Sequence, residues 1–144
     1  MAQAIELARR AGNAGEVPIG AVIVQDGECI GEGWNRPIAA NDPSAHAEIE
    51  ALRAAGTRQR NYRLPEATLY VTLEPCSMCA GAIVQARLKR VVYGAADPKA
   101  GAAGSVFDLL QSKYLNHRAR VDGGVLEADC AALLEEFFRA RRQV

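Results

Sequence analysis

Two short runs carry the residues able to do chemistry: His46-Ala47-Glu48 and, thirty positions later, Pro75-Cys76-Ser77-Met78-Cys79. Cys76 and Cys79 stand at i and i+3 directly after a proline, which suits the first turn of a helix, so their thiols share one face about 5–6 Å apart. That separation suits a single tetrahedral metal ion. The positive end of a helix dipole also lowers a thiol pKa and favours binding as thiolate. For two thiolates and an imidazole, zinc is the fitting ion, and three protein ligands leave one corner of its tetrahedron open, the pattern of a catalytic site. Zinc lowers the pKa of a water in that corner from about 15.7 towards 7, giving a hydroxide nucleophile whose protons a neighbouring carboxylate can move.

Asp42-Pro43-Ser44 reads as a helix start signal, so His46 is expected in the first turn of a helix, with its ring projecting from the helix end. Residues two apart in a regular helix diverge by about 200°. His46 and Glu48 therefore reach one pocket only because His46 sits where the helix begins, and Glu48 stands beside the metal without binding it. Taken alone, Cys-x-x-Cys fits a redox pair or half of a structural zinc site equally well, and a lone histidine is often simply packed. Together the two runs are more specific: His-x-Glu with Pro-Cys-x-x-Cys resembles the signature of zinc-dependent nucleobase deaminases.

The elements that must position these residues follow from pattern. Ala2 to Asn13 has a helical spacing of Ile5, Leu7 and Ala8 with no cap in front of it. Ile19 to Val24 reads as a buried strand, Asp26-Gly27 as a two-residue hairpin turn, and Cys29 to Trp34 as the antiparallel return. Asn35 to Pro43 is a polar loop before the His46 helix, which is expected to stop near Gly56. Thr57 to Pro65 is a second polar loop. The strand Thr68 to Leu73 then feeds the Cys76 helix, expected to end near Arg87, and Arg90 to Gly94 is the next strand. A helix between parallel strands implies a right-handed crossover, with the ligands at the carboxyl edge of the sheet. A small-residue loop from Ala95 to Gly104, a short helix from Ser105 to Leu110, a strand near Arg118 to Val121, a Gly123-Gly124 turn and a helix from Glu127 to Arg142 complete the chain. The expected fold is α/β, a three-layer α/β/α sandwich.

The 144 residues suit one domain, spanning 1–144, and no apolar run approaches the ~18 residues of a membrane span. No membrane partner is expected, and no charged-then-apolar leader is seen. Four cysteines, two of them committed to metal, point to a reducing, cytoplasmic setting, with Cys29 and Cys130 as buried thiols rather than a disulfide. A net charge of zero and a pI near 6.7 argue against non-specific coating of nucleic acid, and no DNA partner is expected. Arginines nonetheless cluster at Arg58, Arg60 and Arg63, at Arg118 and Arg120, and at Arg139, Arg141 and Arg142, which fits either a local RNA contact or a solvated surface.

Beyond the metal runs, the chain resembles the bacterial tRNA-specific adenosine deaminases of the cytidine deaminase-like superfamily. The likeness extends through Gly20-Ala21-Val22, Gly33-Trp34-Asn35-Arg36-Pro37, Asn61-Tyr62-Arg63-Leu64, Thr68 through Ala82, Gly101-Ala102-Ala103-Gly104-Ser105, Asn116-His117-Arg118 and Phe137-Phe138-Arg139. The resemblance implies a five-stranded mixed sheet, a homodimer with one zinc per subunit, and hydrolytic conversion of adenosine to inosine at the wobble position of a tRNA anticodon loop. His46, Cys76 and Cys79 would then hold zinc, whose hydroxide attacks C6 of adenine while Glu48 shuttles protons. Asn35 would contact a base flipped out of the loop, with Asp97, Lys99, Asn116, Phe138 and Arg139 around the flanking nucleotides. Relatives have a longer first helix, so the chain is expected to begin inside it. Two competitors share part of the pattern: a zinc deaminase of free guanine- or cytosine-type bases or nucleosides, and a structural zinc module in which Glu48 has no role.

Overall fold

In the computed structural model, which describes residues 1–142, five strands form one mixed sheet in the order β2-β1-β3-β4-β5. They are β1 (Gly20–Gln25), β2 (Glu28–Trp34), β3 (Thr68–Leu73), β4 (Arg90–Ala95) and β5 (Arg120–Asp122). β1 runs antiparallel to both neighbours, whereas β3, β4 and β5 are mutually parallel. Helices α1 (Ala2–Asn13) and α5 (Glu127–Arg142) cover one face, and α3 (Ala47–Gln59) and α4 (Ser77–Ala86) cover the other. This is the expected three-layer sandwich.

Period-two alternation assigns the strand side chains to the two layers. Ala21, Ile23, Leu69, Val71 and Val91 face α3 and α4, where they meet Ala51, Ala55, Ala80, Ile83 and Val84. Val22 and Tyr70 point the other way, against Ala4 and Leu7 of α1. The hairpin is the one expected: Asp26 and Gly27 both have positive φ, at 53° and 76°, as a two-residue turn matched to strand twist requires.

α3 lies unusually close to the sheet edge. A Cβ placed on Gly33 would fall 2.2 Å from the Ala47 carbonyl oxygen, and one on Gly31 2.5 Å from that of Ala51. Glycine on the strand and alanine at positions 47, 51 and 55 of the helix therefore bring backbone onto backbone. This contact fixes where α3 begins, and His46 is the residue at which it begins.

Several boundaries differ from the sequence reading. Asp42 does not start α3: its carboxylate accepts from the N–H and hydroxyl of Ser44 to close a local turn, and His46 caps the helix instead. α3 does not stop at Gly56 but continues to Gln59, ending on Arg60 in the left-handed region, with the Asn61 N–H bonded back to the Gly56 carbonyl. A glycine inside a helix costs about 1 kcal/mol, less than the packing of that helix returns. The loop after Asn35 contains a short helix, α2 (Pro37–Ala40). The helix expected over Ser105 to Leu110 is absent, replaced by turns and an Ala103–Asp108 bridge. The last strand starts two residues later than read, at Arg120. Cys130 is buried as expected, Cys29 only half-buried, and both are free thiols.

Gly33→Ala should push α3 off β2, lowering unfolding stability by about 1–3 kcal/mol and loosening metal retention. A thermal denaturation scan and metal analysis of the variant check this; an unchanged melting temperature would mean that the contact is soft.

Candidate active site

β3 ends at Leu73 and α4 begins at Cys76, its N-cap, so the strand delivers the Pro75-Cys76 run to the sheet's carboxyl edge. α3 arrives at the same edge with His46 as its N-cap in an extended conformation, φ −73° and ψ 154°. The His46 Nδ1 lies 3.6 Å from Cys76 Sγ and 3.5 Å from Cys79 Sγ. One ligand atom from each of the three residues falls within 4.8 Å of the others. With Zn–S near 2.3 Å and Zn–N near 2.05 Å, a tetrahedral ion sets its sulfur–nitrogen edges at about 3.5 Å. The triangle thus fits such an ion, with Nδ1 as the imidazole donor.

The electrostatics agree with a cation-binding pocket. Hydrogen bonding from Cys79, then from His46, holds the Cys76 thiol far below its ordinary range, while Cys79 keeps its proton to higher pH because it donates to Cys76 and is buried. The hydrogen bond to Cys76 raises His46. Glu48, only 4% exposed, is pushed up to about 7, chiefly by burial, with the neighbouring His46 pulling the other way. A carboxyl group poised near neutrality beside a metal triangle is suited to taking and giving protons.

Asn35 joins this group by a route the sequence did not suggest. Its side-chain oxygen accepts from the Ala47 N–H at 2.8 Å, at the first turn of α3. That bond orients the amide and leaves its NH2 to donate elsewhere. The segment after it is fastened by Glu16, a buried residue whose carboxylate accepts from the Ile38 and Ala39 N–H groups at the start of α2.

Phe138, 44% exposed, stands between two openings. One, of about 280 Å³, is lined by Glu16, Asn35, Pro37, Ile38 and Phe137 among others. The second, of about 610 Å³, includes Leu73, Asp97, Lys99, Leu134 and Arg139. Asp97, Lys99, Phe138 and Arg139 are thus brought to one groove, although the Asp97 side chain already accepts from the Lys99 and Ala100 N–H groups. Asn116 is exposed in the segment before β5 and lines neither opening. Arg141 stacks on Phe137, 4.2 Å from its ring centre, and donates to the Gly15 carbonyl, so it ties α5 to the end of α1. The other histidine, His117, is held by the Leu88 carbonyl.

The sequence reading missed Glu74. Only 2% exposed, its carboxylate accepts from the N–H groups of Asp97, Ala103 and Ser105 and from the Ser105 hydroxyl. Burial pushes its pKa up, but these donors outweigh burial and leave it below the ordinary carboxylate range. Its place next to Pro75-Cys76 was visible; its partners, more than twenty positions away, were not.

Compared with known proteins, this chain is 52% identical over 144 residues to the tRNA-specific adenosine deaminase of Haemophilus influenzae, covering 99% of this chain and 83% of that relative. The chain belongs to the tRNA-specific adenosine deaminase family. Residues 1–142 also match the family described as MafB19-like deaminase. A solved structure from work on A-to-I editing by tRNA:A34 deaminases at the wobble position superposes on this family member with a TM-score of 0.88 at 47% identity, covering 91% of this chain and 95% of that one. The Bacillus subtilis guanine deaminase structure superposes with a TM-score of 0.66 at 46% identity over 74% of this chain and 68% of that one. The chain is a deaminase, and its adenosine deaminase relatives match it over a larger share of its length.

In protein stripped of metal, folded Glu48 keeps a proton between pH 4.5 and about 7 that the unfolded chain has released. The stability linked to this group is complete below pH 4.5 and is lost as pH rises through about 7. Cys76, with its lowered pKa, contributes the opposite slope, so Glu48 is isolated by comparison: in chemical denaturation of chelator-treated protein from about pH 5 to about pH 7, the wild-type midpoint should fall relative to that of Glu48→Gln. Equal slopes for the two proteins would mean that Glu48 is solvated.

Proposed function

We propose that this deaminase converts adenosine to inosine hydrolytically at the wobble position of a tRNA anticodon, with His46, Cys76 and Cys79 holding one zinc ion per subunit. The observation that carries the reading is the triangle of Nδ1 and two Sγ atoms with the buried Glu48 carboxyl beside it, in a chain of this family. Bound zinc would supply a Lewis acid able to bring a water's pKa close to neutrality.

The chain's own residues do the rest. Glu48, buried beside the triangle, accepts a proton from the attacking water and delivers it to N1 of the purine. C6 then becomes tetrahedral. A second proton passes through Glu48 to the departing amino group, and ammonia leaves. Asn35, its oxygen committed to the Ala47 N–H, offers its NH2 to the nucleoside. A base must leave its stack to enter such a site, at a cost of a few kcal/mol that is smallest in an unpaired loop, which favours an anticodon loop over a duplex. Lys99 and Arg139 are exposed at the rim of the neighbouring groove, where cationic side chains suit flanking phosphates, while Asp97 and Phe138 form its wall. Asn116, which lines neither opening, is the residue of this set that the geometry supports least.

Homodimerisation is part of the proposal. A groove of about 950 Å³ between α3, α4 and the 60–64 segment carries Ile49, Leu52, Leu64 and the exposed Tyr62. It lies away from the metal triangle and suits a second copy. No helix among the described residues is long and apolar enough to cross a membrane.

The likeness to a guanine deaminase favours a second reading, deamination of a free base. Zinc-loaded protein incubated with an anticodon stem-loop carrying wobble adenosine, beside free adenosine, guanine and cytosine, separates the two: inosine from the stem-loop is expected, and product from a free base alone would reject the tRNA reading. Glu48→Ala should lower inosine formation at least about a hundredfold while leaving zinc content at the wild-type level. A Glu48→Ala enzyme that kept its activity would return the site to a structural role. Asn35→Ala should weaken stem-loop binding and also destabilise α3, as titration and melting would show.

A further inference from the structure

We infer that Glu74 is a positioning residue for RNA: its buried carboxylate is the anchor around which the 97–105 loop folds, and through that loop it sets how tightly the flanking nucleotides are held. The inference rests on the tRNA reading of the site, but its first readout does not.

The geometry is specific. The Glu74 N–H continues the sheet pairing by bonding the Ala95 carbonyl at 2.8 Å, so the residue belongs to the rigid end of β3. Oε1 receives the Asp97 N–H at 3.0 Å and the Ser105 hydroxyl; Oε2 receives the Ala103 N–H at 2.9 Å and the Ser105 N–H at 3.1 Å. The loop also lies directly on the carboxylate. A Cβ on Gly101 would come within 2.4–2.5 Å of its carbon and both oxygens, so a larger residue there would have to displace the carboxylate. The Ala102 N–H adds a bond to the Pro75 carbonyl at 2.8 Å. A loop of small residues, with Ala102 buried in the main core, is thus wrapped on one buried carboxylate. It presents Asp97, Pro98 and Lys99 to the groove shared with Phe138 and Arg139.

An acceptor on both arms is required. In Glu74→Gln the amide NH2 would confront two backbone N–H groups at the Oε2 position. At the Oε1 position it meets the Asp97 N–H and a hydroxyl free to turn and accept. The second orientation costs less and strands the Asp97 N–H, releasing the end of the loop that carries Asp97 and Lys99.

Hydrogen exchange on zinc-loaded Glu74→Gln should show the Asp97 amide exchanging about tenfold faster or more, with the Ala103 and Ser105 amides affected less, and KM for the anticodon stem-loop should rise about five- to tenfold with kcat within about twofold. Zinc content should stay at the wild-type level. Ser105→Ala, which removes one donor at an exposed position, should give the same split in smaller measure and carries the test if Glu74→Gln does not fold. Unchanged exchange in 97–105 overturns the inference, as does loss of zinc or a fall in kcat at constant KM. If wild-type protein makes no inosine from the stem-loop, the tRNA reading fails separately, and exchange alone then decides whether Glu74 anchors the loop.

Discussion

At Gly33 the backbone of β2 passes so near the Ala47 carbonyl that no side chain larger than hydrogen fits between them. The position of α3 along the sheet follows from that contact, and with it the place where the helix starts. Because His46 is the N-cap rather than an interior residue, its extended backbone turns the imidazole into the space that Glu48 also faces. α4 starts at the same edge because β3 ends there. Two helix N-termini then converge, each carrying about half a positive charge, and the Cys76 thiol at the start of α4 is held far below its ordinary range. The metal triangle is a consequence of helix placement, and helix placement is a consequence of small residues.

Three buried glutamates show how the same side chain takes different roles according to its donors. Glu16 receives two backbone N–H groups and fastens α2 beside Asn35. Glu74 receives three backbone N–H groups and a hydroxyl and remains an anion despite burial. Glu48 lacks such a cradle of backbone donors from other residues, and burial raises it to about 7. Donor-rich burial keeps a carboxylate charged and fixed; donor-poor burial makes it exchange its proton near neutrality. Glu16 and Glu74 hold chain segments in place, and Glu48 lies beside the His46–Cys76–Cys79 triangle.

Legibility in the sequence divided along the same line. Local signals sufficed for the strand alternation, the Asp26-Gly27 turn and the β3–α4–β4 unit, since each depends on neighbours within a few positions; the gathering of His46 with Cys76 and Cys79, thirty positions on, was readable only from the two motifs taken together. What failed was set by distant partners. Ser105 to Leu110 has the composition of a short helix, but Glu74 takes the Ala103 and Ser105 N–H groups and imposes turns. Gly56 looks like a helix stop, yet α3 runs through it while packed on β2. Asp42 carries a cap residue's side chain and uses it on Ser44. Asn35 stood out through its resemblance block, but its bond to the Ala47 N–H, which ties its side chain to the helix that His46 caps, required the fold.

Selectivity has to arise outside the metal triangle, because a site of two thiolates, an imidazole and a carboxyl can deaminate more than one ring. The differences must lie in the rim. Here the rim is assembled from the Glu16-fastened segment, the Glu74-anchored loop and the end of α5, which Arg141 ties to Gly15. The groove they leave, with Phe138 in its wall and Lys99 and Arg139 at its edge, remains open. A deaminase of a free base gains by closing over its small substrate and excluding water. One acting on a nucleotide within a chain must let the strand enter and leave on either side of the reacting base. A groove that stays open, with Lys99 and Arg139 at its edge, is the arrangement that second task demands.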